Sequence, residues 1–427
     1  MPYVLGTSFP FPSMPNIKPF CGLKPATHLQ SKVVTRPLEN YGSGEARLIA
    51  SENSCSFLHL INPELDNPYL RGTRQELIFK KIAENFEGFL EHHYLEREKV
   101  PVIYVYQVVH DGLCQTGIWT LTHINDYLEG RIKKHESTVE RREKLLADYL
   151  QQTGLDANPV LITYHPDPTI NRLIKKYIAL KPALDFVFAD QTEHRIWAID
   201  DPQDLAEMVR AFGAIPAVYI ADGHHRAASM AKMGLQKQAL NADKHTGTEL
   251  YNYFTTVYMN TEEVKVLEFN RLIRDMGRLS KADFMKALAE CFEVLPVTAA
   301  IKPACLHQIG MYFDGQWYLL QPKPEIYDSN NPVGVLDVSI LQNFILAPIL
   351  GIKDPRTDAR INFEGGRTAV LELQEKVDNG LFAIAFTLFP TSVAQVIAVA
   401  EADGVMPPKS TWVEPKFLVG LLTNYFN

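Results

Sequence analysis

Cysteine is scarce in this sequence. Five residues in 427, Cys21, Cys55, Cys114, Cys291 and Cys305, are scattered and form no CxxC pair. An odd, dispersed set argues against a disulfide framework and a zinc-thiolate site, and fits a reducing cytoplasm. Positive charge is not in excess either. A formal net charge of −8 excludes a broad nucleic-acid surface, though not a local basic pocket. Long apolar runs are missing: LFAIAFTLF at 381–389 falls well short of the roughly 20 residues a membrane helix needs. MPYVLGTSFPFPSMP at the N-terminus lacks a basic start and an unbroken apolar core, so no signal peptide is expected. There is no internal repeat, no low-complexity tract, no HExxH and no glycine-rich Walker loop.

What is present is ordinary globular material: 46% apolar and 22% charged residues, in a chain too long for one core. Apolar spacing predicts a helix over 77–91 and a strand over 101–109, with 118–121 pairing to it across His110-Asp111-Gly112. A helix over 140–152, strands at 160–164, 193–199 and 217–221, and helices over 202–212 and from 227 follow. Beyond them come a helix at 284–291, a hairpin over 310–320, a helix over 339–350 and a strand at 382–389. The expected architecture is α+β (mixed α/β) in two domains: residues 1–265, an N-terminal α/β domain, and residues 266–427, a smaller C-terminal α+β domain.

The stretch that asks for explanation is YIADGHHRAASM, residues 219–230. A buried strand turns at Gly223 and enters a helix. Glycine allows close approach of backbone to a ligand, and the first amides of a helix favour an anion. Arg226 offers a planar fork for two phosphate oxygens. His224 and His225 can donate to phosphate or move protons. Asp222 can coordinate Mg²⁺, orient a histidine or cap the helix. The plain alternative is a cap, a turn and a buried histidine. The five residues together favour an anion site, because burying so many polar groups without a partner is costly.

Two further segments carry charge in suggestive places. In KKHESTVERREKLLADYL, residues 133–150, Ser137 and Glu140 form a capping-box pattern. Arg141, Arg142 and Lys144 fall in the first two turns of that helix, where cations oppose the helix dipole unless an anion is bound, or form a solvated face with Glu140 and Glu143 as partners. His135 and Thr138 flank the same spot, and Glu136 is a candidate general base. In MPPKSTWVEPK, residues 406–416, prolines stiffen a loop presenting Lys409, Ser410 and Thr411 to a phosphate, or form a plain turn.

Taken together, KPFCGLKP, VVTRPLENY, HEST with its charged helix, ADGHHR and MPPKSTWVEPK resemble, in their order, the domain-of-unknown-function family 1015. ADGHHR also resembles a box of the wider ParB and sulfiredoxin superfamily, which includes free serine kinases and CTP-binding ParB proteins. The resemblance implies a ParB/sulfiredoxin-like mixed sheet in the N-terminal domain. It implies that Gly223, His224, His225 and Arg226 hold nucleotide phosphates with Asp222 nearby, and that a glutamate, Glu136 or Glu39, acts as base. Where many relatives have Tyr-Glu-Thr after the arginine, this chain has Ala227, Ala228 and Ser229, so no carboxylate is available there. Where they have VVAPPYD it has VVTRPLENY, and Arg36 is a candidate extra phosphate contact.

The leading functional expectation is a nucleotide-dependent phosphotransferase acting on a small hydroxylated metabolite such as free L-serine. Its catalytic residues would be Glu136, His224 and His225. Asp222, Gly223, Arg226, His135, Thr138, Arg141, Arg142, Lys409, Ser410 and Thr411 would bind ATP, ADP or CTP, with Mg²⁺ on Asp222. A ParB-like nucleotide switch or slow nucleoside triphosphatase, and a phosphometabolite-binding protein without turnover, are the alternatives. A zinc site of His135, His224, His225 and Asp222 ranks lower, since the spacing suits no common zinc motif. The expected partner is a small phosphate or nucleotide ligand in the cytoplasm, with no nucleic acid and no membrane; a homo-oligomer stays open.

Overall fold

The computed structural model describes residues 15–42, 44–72 and 74–427. Residues 1–14, which carry most of the stretch behind the signal-peptide expectation, lie outside the described residues. The chain divides into two compact units. The first takes residues up to Lys133, Thr138–Glu263 and Pro415–Asn427; the second takes Lys134–Ser137 and Val264–Glu414. The division is therefore not a single cut at 265/266: the segment Pro415–Asn427 belongs to the first unit. The fold is mixed α/β.

In the first unit, Ile103–His110 and Leu113–His123 form a hairpin. Asp111 and Gly112, with φ of 50° and 75°, supply the paired left-handed residues that a two-residue turn with native strand twist requires. Among the described residues this hairpin sits in a nine-stranded sheet. Its order is Ile132–Lys133, Val218–Asp222, Val160–Tyr164, Tyr253–Asn260, Leu113–His123, Ile103–His110, Glu193–Ile199, Leu184–Val187, with Ile17–Lys18 added against Leu113–His123. Tyr253–Asn260 runs parallel to Val160–Tyr164 and antiparallel to Leu113–His123, and all eight of its residues are buried. Gly117 makes room for it, since a Cβ there would lie 2.6 Å from the Tyr258 carbonyl oxygen.

Helices Glu140–Thr153 and His224–Leu240 pack on each other. Ile162, Ile220, Phe254 and Tyr258 of the sheet share one core with Ala227, Met230 and Met233 of the second helix. Full burial of each large apolar side chain contributes about 1.5–3 kcal/mol. Pro415–Asn427 is threaded through this unit. Val419 N–H donates to the Thr35 carbonyl at 2.7 Å, Gly420 N–H to Ala157 at 3.2 Å and Thr423 N–H to Leu23 at 2.8 Å. Leu418, Leu421 and Leu422 are buried.

The second unit holds, among the described residues, a six-stranded antiparallel sheet. Its order is Phe292–Val297, Gln316–Pro322, Ile309–Phe313, Ile384–Leu388, Phe269–Ile273, Ile361–Gly365. The expected hairpin turns at Asp314 and Gly315, φ 52° and 77°. The expected helix over 339–350 is a correction. A short α-helix, Asp337–Leu341, gives way to a π-turn, Gln342–Leu346, in which Ala347 N–H reaches back to Gln342 O at 3.0 Å. Pro348 is the cause: it has no N–H, and its ring crowds the carbonyl four residues back. Among the described residues no helix is long and apolar enough to cross a membrane.

Candidate anion site at the ADGHHR turn

Strand Val218–Asp222 lies between Ile132–Lys133, parallel, and Val160–Tyr164, antiparallel. Its register shifts between Ile220 and Asp222, a bulge that re-aims the last residue. Gly223 follows at φ 101° and ψ 28°, a conformation that costs any residue with a Cβ. Space enforces the same choice: a Cβ would lie 3.0 Å from Cζ, Nε and Nη2 of Arg226. The guanidinium folds back over the turn.

Helix His224–Leu240 begins at once. Gly223 is its N-cap, no side chain caps it, and its first turn holds no carboxylate. Its first helical bond is Ala227 N–H to Gly223 O at 3.0 Å, so the amides of His224, His225 and Arg226 have no acceptor inside the helix. The positive end of the dipole therefore carries no acidic cap of its own. Asp222 is not the cap that one reading of the sequence makes it. Its Oδ2 lies 3.1 Å from Arg226 Nη2 and 3.3 Å from Lys416 Nζ. Burial pushes the carboxyl up, but Lys416 and Arg226 outweigh it and hold the group at about 2. Its side chain is 34% exposed, so solvent screens part of that attraction. Two cations on one carboxylate oxygen oppose a divalent ion there, so this arrangement does not fit Mg²⁺ bound through Asp222.

Arg226 is turned inward. Nη1 donates to Asn158 Oδ1 at 2.6 Å and to the Pro159 carbonyl, while Nη2 donates to Asp222. With five N–H donors in all, Nε and part of Nη2 remain for a ligand, rather than the whole fork. The histidines diverge. His224 is buried and His225 is half-buried. His225 Nε2 accepts the Val139 N–H at 3.0 Å, and Val139 is the N-cap of helix Glu140–Thr153. The helix starts two residues later than a Ser137–Glu140 capping box requires: Val139 is the N-cap, no side chain caps it, and its own N–H goes to His225. A ring nitrogen that accepts carries no proton, which assigns the Nδ1–H tautomer and leaves Nε2 neither an acid nor a zinc ligand in this arrangement.

The family model described as "Protein of unknown function (DUF1015)" matches residues 17–339. The chain belongs to this family. The match includes HEST and ADGHHR and ends before MPPKSTWVEPK, so the resemblance of that last segment stands apart from it. No curated protein matches the sequence. Among solved structures, the chain is similar to a free serine kinase in complex with AMP, at 12% identity and TM-score 0.35, over 70% of this chain and 88% of that one. A mutant of that kinase in complex with ADP has 12% identity and TM-score 0.38 over the same shares. A conserved hypothetical protein from Pyrococcus furiosus has 13% identity and TM-score 0.35, over 70% of this chain and 91% of that one. Scores this low carry no argument about the reaction.

In this DUF1015 chain the first unit brings Asp222, Gly223, His224, His225 and Arg226 together at one turn. Thr138 is half-buried at the start of the neighbouring helix, and Arg141 and Arg142 project from its first turn into solvent. Three residues of the site escaped the sequence reading. Asn158 anchors Arg226. Lys416, the last lysine of MPPKSTWVEPK, reaches Asp222. Asp156 is buried and accepts the Thr255 N–H at 2.7 Å; burial pushes its carboxyl up to about 7, against the pull of that N–H and of Arg226. Arg36 is paired with Glu45 and stacks on Tyr41, and Glu39 is exposed.

The remaining expected residues lie in the second unit. His135 is buried, its carbonyl accepting Met406 N–H at 2.9 Å, and Glu136 is half-buried. Lys409 is exposed at φ 58°, its ammonium 5.4 Å from the Phe269 ring centroid. Its carbonyl accepts from Nη2 of Arg271 at 3.0 Å, and burial pushes that guanidinium down to about 9. Ser410 is buried and its hydroxyl donates to the Pro407 carbonyl at 2.6 Å, the bond of a plain turn. Thr411 is half-buried.

Proposed function

We propose that the protein binds the phosphates of a nucleotide at the ADGHHR turn and transfers a phosphoryl group to a small hydroxylated metabolite, with free L-serine as the first candidate. The observation that carries the reading is the N-terminus of helix His224–Leu240. It is entered through a glycine at φ 101°, has no side-chain cap and no carboxylate in its first turn, and is flanked by Arg226 and Lys416. Oriented amides and fixed cations act on a transferring phosphoryl group by stabilising its charge, which is most of what such chemistry asks of a protein. In this reading the acceptor hydroxyl attacks the terminal phosphorus, the nucleotide shortened by one phosphate leaves, and the hydroxyl proton passes to a general base, the role that the motif resemblance gives Glu136. His224, in the first turn, donates to the phosphates. The choice of serine and of adenine or cytidine nucleotides rests on the motif resemblance. Any Mg²⁺ would arrive on the phosphates rather than through Asp222.

Phosphorus NMR with ATP, ADP or CTP, Mg²⁺ and L-serine tests the proposal. A new phosphoester signal that requires serine and is lost in Glu136→Gln is expected. Inorganic phosphate alone, indifferent to serine, would replace it with the second reading, a nucleotide switch or slow triphosphatase. One observation favours that second reading: Nε2 of His225 is engaged in capping a helix, which leaves less proton-transfer machinery at the turn.

A further inference from the structure

Lys416 is held at its backbone, and its side chain is half-buried. Pro415 and Phe417 on either side are buried, and the Phe417 ring packs 5.8 Å from Tyr106 and 6.0 Å from Trp119, centroid to centroid. The next residues are hydrogen-bonded into the first unit in both directions, Val419 N–H to Thr35 O at 2.7 Å and Thr35 N–H to Val419 O at 3.1 Å. The Lys416 side chain is 31% exposed, and its ammonium stands 3.3 Å from Asp222 Oδ2. A charge-assisted hydrogen bond is tighter, about 2.7–2.9 Å. The same oxygen also takes Arg226 Nη2 at 3.1 Å. One carboxylate oxygen thus faces two cations, where strand Val218–Asp222 gives way to the start of helix His224–Leu240.

We infer that Lys416 is a phosphate-binding residue of this site, held ready by Asp222, whose carboxylate occupies the place of a ligand phosphate rather than that of a metal ligand. The inference rests on the reading of the turn as a phosphate site. A phosphate group approaching the helix end draws the ammonium from Asp222 onto its own oxygens. The bond exchanged is one cation–oxyanion contact for another, so little is lost in releasing the lysine. The ligand class is the terminal phosphate of a nucleotide or of another phosphate ester. A lysine is suited to this as a mobile point charge, while Arg226, anchored to Asn158 and Pro159, is not free to move.

The test is calorimetric titration of the full chain with ADP and with pyrophosphate in EDTA. Lys416→Gln is expected to bind about tenfold or more weakly, the loss of one charge-assisted contact. Lys416→Arg should bind within a few-fold of wild type, and Asp222→Asn at least as tightly as wild type, because a repelling carboxylate is gone. Unchanged midpoints of thermal unfolding without ligand confirm that the variants are folded, and rescue by arginine separates charge from packing. Wild-type binding with undiminished affinity in Lys416→Gln overturns the inference and leaves the proposed function standing. Weaker binding by Asp222→Asn overturns the placeholder role of the carboxylate. No binding of either probe to wild type, in EDTA or with excess Mg²⁺ in its place, overturns both.

Discussion

The buried carboxylate of Asp156 gives the site region a pH signature of its own. Its folded value of about 7 stands above the 3.8 of the free group. Between those values the native protein holds a proton that the unfolded chain has lost. The stability it confers is therefore complete below about pH 4 and declines as pH rises to about 7, by about 4 kcal/mol at most. Asp222, held at about 2, works in the opposite sense and only as pH falls from about 4 towards 2, so the two are separable. Urea unfolding of Asp156→Asn at pH 5 and pH 8 is expected to show a smaller difference than wild type; an equal difference would contradict the assignment. At this scale the turn itself was legible: glycine between a buried strand and a helix marks the point where the ADGHHR residues gather. Their partners were not. Asn158 and Lys416 lie 68 and 194 positions away from the residues they hold, and neither carries a local signal.

Among the elements, helix Glu140–Thr153 depends on a residue outside itself. Its N-cap amide is satisfied by His225. His225→Ala is expected to cost about 1 kcal/mol, the usual worth of a cap. Amide hydrogen exchange should quicken over residues 139–142 and change little elsewhere. Unchanged protection there would mean that the ring serves only a ligand. The start of this helix was readable from the run of charged and apolar residues, but the capping box was misleading, since a pattern of two side chains does not show which donor a distant imidazole already serves. The strand Tyr253–Asn260 was passed over for a different reason. It is covered on both faces, so the alternation that marks a half-exposed strand is absent. The helix over 339–350 was broken by Pro348, a visible signal whose effect is a π-turn rather than a clean end.

Across the whole molecule, the two-part organisation was legible from the change in element pattern, but a contiguous boundary was the wrong form for it. Pro415–Asn427 carries its buried leucines into the first unit, and sequence order gives no hint of such a return. Deleting this segment removes Leu418, Leu421 and Leu422 from that unit. At about 1.5–3 kcal/mol each, this is a large part of the roughly 5–15 kcal/mol that stabilises a domain. The truncated chain is expected to lose the first unit's protection from limited proteolysis, and retention of that protection would show the segment to be dispensable. The central claim, that the turn holds phosphate, is tested most directly by following backbone amide resonances while ADP or pyrophosphate is added. The account predicts that the largest shifts fall on Gly223, His224, His225 and Arg226. Shifts confined to residues elsewhere in the chain, or none at saturating ligand, would contradict it.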